Sequence, residues 1–293
     1  MPKIGRFTSD EARETFLRAY DVLAEKWPVP SSRHSVETSF GTTAVRASGT
    51  GPGAPILLLP GISGNGQVWH RFIEELSRDH LVYTPDVMGW PGHCEQTAPL
   101  RDGADVAKWL VEVLDGLGVH RVHLAGNSVG SWIAILVAAV HPERLATLTM
   151  FEPGGATFVK PRWRVLLRFL LAGIRPTPER MRKFIKWLNP GTELSDDEFA
   201  MVMACLKFRT GMPWEQPLTD EQLAAITAPM LVLFGAETVA NDLERVTARI
   251  REHIPSADIE IYPGVGHDVL WANPDQAIPR FLDFVGEHDQ VRA

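Results

Sequence analysis

One stretch, Arg121-Val-His-Leu-Ala-Gly-Asn-Ser-Val-Gly-Ser-Trp-Ile-Ala134, limits what this chain can fold into more than any other. A short apolar run, Val122–Ala125, reads as a buried strand. The turn Gly126-Asn127-Ser128-Val129-Gly130 follows, and then an apolar helix over Trp132–Val140 that ends near His141-Pro142. A G-x-S-x-G turn between a strand and a helix holds its serine in a strained backbone conformation, which requires small flanking residues. The serine Oγ then stands clear of the sheet, facing N–H groups and a helix N-terminus suited to developing negative charge. A plain Gly-Ser turn joining a strand to a core helix is the simpler reading, and the rest of the chain decides between them.

That pattern of strand, turn and helix repeats. Ser9–Trp27 reads as an amphipathic helix capped by Ser9, with Phe16, Ala19, Leu23 and Trp27 at helical spacing. Strands are expected at His34–Phe40, Thr43–Ala47, Ile56–Leu59, Leu81–Pro85, Val122–Ala125, Leu145–Phe151, Met230–Phe234 and Ile259–Tyr262. Helices are expected at Gln67–Ser77, Asp102–Leu117, Asp242–His253 and Pro274–Val285. Alternation of this kind implies an α/β fold, a mostly parallel central sheet with helices on both faces. Between Pro153 and Pro229 the rhythm breaks into a helical stretch rich in Trp and Phe and interrupted by prolines. The expected organisation is an N-terminal helix and lead-in (1–33), a core (34–153 and 229–293), and a helical cap (154–228) inserted after the sixth core strand.

Composition narrows the function classes. A net charge of −7 argues against a nucleic-acid partner. Basic residues cluster between Lys160 and Lys186, but they alternate with Trp163, Leu166, Leu167 and Phe169, so the stretch reads as a solvated helix face rather than a membrane-docking one. The longest apolar run, Trp132–Val140, is too short to span a bilayer, so no stable membrane association is expected. Met1–Phe7 has no apolar signal-peptide core. The two cysteines, Cys94 and Cys205, have no metal-ligand spacing and form no disulfide framework. A cytoplasmic monomer or homodimer is the expectation.

Four loops that follow strands carry the candidate chemistry, at the strand ends where open α/β sheets build their sites. Ser128 is the candidate nucleophile and needs a base. His267, in Pro263-Gly-Val-Gly-His267 after the last strand, is the first choice. His93, in its own Gly-Trp-Pro-Gly loop, is the second. His70, His80, His120, His123, His141 and His253 fall in helices or at strand edges and read as structural or surface residues. An oxyanion hole would use the Val129 N–H and one donor from the Gly61 loop, for which Ile62 is the choice.

Gly-Asn-Ser-Val-Gly, Leu-Leu-Leu-Pro-Gly-Ile-Ser-Gly and Pro-Gly-Val-Gly-His resemble the α/β-hydrolase superfamily, in its serine-nucleophile branch, from about Val36 to Val285. More loosely, Tyr20-Asp…Trp27-Pro-Val-Pro…Phe40-Gly-Thr resembles small bacterial carboxylesterases. The resemblance implies acyl-transfer hydrolysis of an ester, thioester or amide through an acyl-serine, with nucleophile, acid and histidine in that chain order and with no metal or organic cofactor. Two positions depart from the family pattern. Pro60 replaces a common histidine before the oxyanion loop, with little loss expected. Thr238 occupies the usual place of the triad acid, and a threonine cannot hold an imidazolium by charge. Glu152, at the end of the strand after the nucleophile helix, is the first substitute; Glu237 is its rival, Asp242 is third, and a triad with no acid is the remaining case.

Aromatic residues in the cap (Trp163, Phe169, Phe184, Trp187, Phe199, Phe208, Trp214) and near the loops point to a moderately hydrophobic small-molecule ester. Trp69, Trp90, Trp163 and Trp187 are the candidate pocket residues. Two other classes compete: a non-hydrolytic member of the fold (acyltransferase, lyase or cofactor-free haloperoxidase), and a hydrolase-like binding protein without catalysis, for which Thr238 speaks most directly.

Overall fold

The computed structural model describes residues 3–174 and 176–289. Met1, Pro2, Arg175 and residues 290–293 lie outside it, and with them the ends of segments 1–33 and 229–293 and one arginine of the basic stretch. The elements run β1 (Arg6–Phe7), α1 (Asp10–Glu25), β2 (Ser31–Thr38), β3 (Gly41–Ser48), β4 (Ile56–Leu59), α2 (Ile73–Leu76), β5 (Val82–Pro85), β6 (Glu95–Gln96), α3 (Gly103–Gly116), β7 (Val122–Asn127), α4 (Val129–Val140) and β8 (Leu145–Phe151). They continue with α5 (Trp163–Gly173), α6 (Pro178–Leu188), α7 (Asp196–Cys205), β9 (Phe208–Arg209), α8 (Asp220–Ala224), β10 (Met230–Gly235), α9 (Leu243–His253), β11 (Asp258–Tyr262), α10 (Val269–Ala272) and α11 (Pro274–Asp289).

The main sheet has the order β11-β10-β8-β7-β4-β5-β3-β2, with β6 added to β3. Pairing is parallel from β11 to β5, and β3 then joins β5 antiparallel and continues into the β2–β3 hairpin. Central strands covered on both faces must be apolar throughout. β4, β8 and β10 are buried along their whole length, and β7 at every residue except Asn127. One face packs Trp109, Leu110 and Val113 of α3, Ile133 and Val137 of α4, and Ile250 of α9. The other packs Trp69, Ile73, Leu270, Phe281 and Val285. α4 is apolar on nearly every side because it lies between the sheet and α3.

The helices start where their caps place them. The Ser9 hydroxyl accepts from the Ala12 N–H, the Asp102 carboxylate from the Ala104 and Asp105 N–H groups, and Ser195 and Thr219 close reciprocal boxes with Glu198 and Gln222. The helix expected over Gln67–Ser77 is split. Asn65 caps a 3-10 turn over Gly66–Arg71, which gives way to the single turn of α2. The two-residue strands β1, β6 and β9 are too short to leave an alternating pattern. β1 pairs with β9, and α1 packs against α7 through Phe16, Tyr20, Leu23, Met201 and Cys205. Of the helices between β8 and β10, α8 lies against α4 and α9.

Asp86, at the end of β5, ties these layers together. Its buried carboxylate accepts from the Gly66 N–H (2.9 Å), the His93 N–H (2.7 Å) and the Tyr20 hydroxyl (3.2 Å). The 3-10 turn, the loop after β5 and α1 are thereby fixed to one sheet end. Burial raises the Asp86 carboxyl above its ordinary range, and these three donors oppose the shift.

Candidate active site

β7 and β8 run side by side past their last ladder pair, Asn127 with Phe151, and that register sets the site. The Ser128 N–H donates to the Phe151 carbonyl (3.0 Å), and the Gly154 N–H returns to the Ser128 carbonyl (3.0 Å). Ser128 sits at φ 52°, ψ −118°. Positions 126 and 130, two residues to either side, must be glycine. A Cβ on Gly126 would lie 2.3 Å from the Gly130 carbonyl carbon, and one on Gly130 would lie 2.5 Å from the Leu59 and Pro60 carbonyl oxygens. The described non-glycine residues at positive φ are Ser63, Ser128 and Glu152. All three lie in the loops expected to carry the chemistry, where backbone strain concentrates when the surrounding structure enforces it.

His267 Nε2 lies 2.9 Å from Ser128 Oγ, and Nδ1 lies 3.4 Å from Glu152 Oε1. Glu152 has no exposed surface. Its Oε2 accepts from the Gly235 N–H (2.8 Å) and its Oε1 from Asn241 Nδ2 (2.9 Å), while Asn241 also donates to the Pro153 carbonyl (2.8 Å). A buried carboxylate held by fixed donors can face an imidazolium without competing water. The other two acids stand elsewhere. Glu237 is exposed in the turn after β10, and Asp242 pairs with Arg162 (2.7 Å). The Thr238 hydroxyl is buried without a hydrogen-bond partner among the described residues.

The Gly61-Ile62-Ser63 loop abuts the elbow: a Cβ on Gly61 would lie 3.6 Å from Ser128 Cβ. Val129 opens α4. His93 is remote from this chemistry, its N–H on Asp86 and its ring edge-on to Tyr20 at 4.5 Å. Cys94 and Cys205 are both free thiols.

Ser128 and His267 open into a cavity of about 380 Å³, walled by the α5–α7 segment and by Ile62, Val68 and Trp271. None of the four tryptophans assigned to the pocket lines it. Trp69 is fully buried against Phe151 and Trp271, Trp90 is buried in the core on the opposite face, and Trp163 points to solvent. Trp187 packs on Phe184 and under the Arg168 guanidinium. The apolar lining comes instead from Phe169, Met181, Phe184, Leu188, Met201 and Trp271. Proximity of a tryptophan to a loop in sequence does not fix which way its ring turns.

Sequence reasoning missed the groups that brace the site. Asn241, which holds Glu152, lies in an unremarkable loop. Asp268 accepts from Asn189 Nδ2 (2.8 Å) at the end of α6, and burial pushes its carboxyl up to about 6. Glu215, half-buried and accepting from the Thr157 hydroxyl (2.5 Å), is pushed up to about 7 by desolvation of its carboxyl.

The sequence matches the α/β hydrolase fold family over residues 54–202, and the chain belongs to that family. It is an α/β hydrolase that resembles bacterial carboxylesterases. Carboxylesterase YbfK of Bacillus subtilis is 26% identical, with 96% of each chain covered. The crystal structure of that carboxylesterase superimposes with a TM-score of 0.85, covering 94% of this chain and 98% of the other at 25% identity. Naproxen esterase of Bacillus subtilis shares the fold, with a TM-score of 0.85 at 23% identity over 92% and 97% of the two chains.

Proposed function

We propose that this protein is a serine carboxylesterase that cleaves esters of moderately hydrophobic small molecules. The observation that carries the reading is the line Ser128–His267–Glu152 beneath a strained glycine elbow, opening into an apolar cavity. Bacillus subtilis relatives named as carboxylesterases over nearly the whole chain support ester hydrolysis.

In this reading Ser128 Oγ attacks the ester carbonyl carbon while its proton passes to His267 Nε2. The carbonyl electrons move onto oxygen, and the N–H groups of Ile62 and Val129 receive that oxyanion. Its collapse breaks the bond to the alcohol oxygen, which takes the proton from His267 and leaves. Water then gives a proton to His267 and attacks the acyl carbon, and the second collapse releases the acid and returns the proton to Ser128. Glu152 holds the imidazole in the tautomer with Nδ1 protonated and stabilises the imidazolium. The helices between β8 and β10 act as a cap whose apolar side chains select the substrate.

The test is turnover of p-nitrophenyl butyrate with quantified release of free acid. The Ser128→Ala variant is expected to lose that turnover. Acyl transfer to an added alcohol in place of free-acid release would refute hydrolysis, and turnover retained by Ser128→Ala would refute the nucleophile.

A further inference from the structure

Apolar residues at helical spacing ordinarily mark the face a helix turns to the core. In α5 they face water. Trp163, Leu166, Leu167, Leu170, Leu171 and the following Ile174 fall at i, i+3, i+4, i+7, i+8 and i+11, and each is 43% to 66% exposed. They make up six of the twelve large apolar side chains exposed among the described residues, and no residue of α5 is buried. The opposite side of the helix is already in use. There Phe169 stacks edge-on to Phe184 at 5.0 Å and, with Ala172 and Gly173, forms part of the cavity wall. A contiguous apolar stripe of this kind marks an interaction surface.

Charge identifies the partner. Residues 160–186 of the sequence contain nine Lys or Arg and a single acid, Glu179, in a chain whose net charge is −7. Lys160, Arg162, Arg164, Arg168, Arg180, Arg182, Lys183 and Lys186 are all exposed. Arg164 and Arg168 lie over the rings of Trp163 and Trp187, beside the stripe itself. An apolar helical stripe rimmed by cations is the pattern of a helix that lies in a membrane interface and is drawn there by anionic lipid. A second copy of this chain would bring two strongly basic faces together. No described helix is long and apolar enough to cross a membrane, and docking through this face corrects the sequence expectation that residues 160–186 form a solvated helix face rather than a membrane-docking one.

We propose that the α5–α6 face docks on anionic lipid surfaces. Docking is independent of the chemistry at Ser128.

The experiment is sedimentation with vesicles of phosphatidylcholine alone and of phosphatidylcholine mixed with phosphatidylglycerol, monitored also by tryptophan emission. The whole chain and its Ser128→Ala variant are expected to bind the mixed vesicles alike, with affinity falling as salt rises. A blue shift in emission is expected and should be lost in Trp163→Phe. Leu166→Glu/Leu170→Glu should weaken binding more than about tenfold by removing apolar insertion, and Arg164→Glu/Lys186→Glu should do so separately, since each surface cation is worth about fivefold. Melting curves matching the parent protein establish that the variants are folded. Absence of binding, or equal binding to neutral and anionic vesicles, would overturn the proposal. So would a concentration-dependent dimer, seen by light scattering, that Leu166→Glu/Leu170→Glu dissociates.

Discussion

Replacing Glu152 with Gln removes one charge from a site where it has no solvent substitute. When His267 accepts the Ser128 proton, a positive charge forms 3.4 Å from Glu152 Oε1. At an effective dielectric of about 20, two unit charges at that separation attract by about 5 kcal/mol, or roughly three to four powers of ten in rate. Gln keeps the volume and one acceptor. That acceptor can meet the Gly235 N–H, but its amide group then faces Asn241 Nδ2 and the protonated His267 Nδ1, donor against donor. We expect kcat for p-nitrophenyl butyrate to fall about a thousandfold or more, with KM changed little, because the interaction strengthens only as the imidazolium forms. Glu237→Ala, a solvent-facing change, should stay within about twofold. The assay is initial-rate kinetics on both variants, with melting curves to verify folding. A Glu152→Gln loss below about tenfold, or a comparable loss in Glu237→Ala, would refute the assignment of Glu152 as the acid.

Three further outcomes follow from the same geometry. Asn241→Ala leaves Glu152 Oε1 without its amide donor and should cost about 2 kcal/mol, read as a lower melting temperature together with a reduced kcat. Gly130→Ala forces a Cβ to 2.5 Å from two backbone oxygens, so the elbow must shift; the variant should lose esterase activity even where circular dichroism shows that it folds. Glu215, raised to about 7 from 4.5, keeps its proton in the folded chain at pH values where the unfolded chain has released it. The unfolded state then binds fewer protons, and stability falls as pH rises through the window from 4.5 to about 7. Glu215→Gln should remove on the order of 3 kcal/mol of that loss, measured by denaturant melts at pH 5 and pH 8.

The parts of this molecule that were legible in the sequence are those fixed locally. Gly126 and Gly130 announce the elbow because nothing larger fits, and Ser9 announces the start of α1 because an N-cap needs a short acceptor. β4 and β10 announce themselves by unbroken apolar runs. Groups that meet only through the sheet were harder to find. Glu152, after β8, meets His267, after β11, because β10 alone lies between those strands in the sheet, an order that no local spacing encodes. Asn241 lies between turns without any pattern of its own. The side-chain direction of Trp69, Trp90, Trp163 and Trp187 depends on what packs behind each ring, and none of the four lines the cavity. α5 shows the same limit from the other side. Its apolar residues stand among the cations in the sequence, but their presence there does not state which side of the helix they share or what covers it.

The central claim is that Ser128 is an activated nucleophile held by His267. The direct measurement is reaction of the whole chain with a fluorophosphonate probe, with the adduct located by peptide mass spectrometry in the parent protein and in His267→Ala. The account predicts rapid, stoichiometric labelling on Ser128 in the parent and labelling slowed by orders of magnitude in His267→Ala. No adduct on Ser128, or labelling at an unchanged rate without His267, would contradict it.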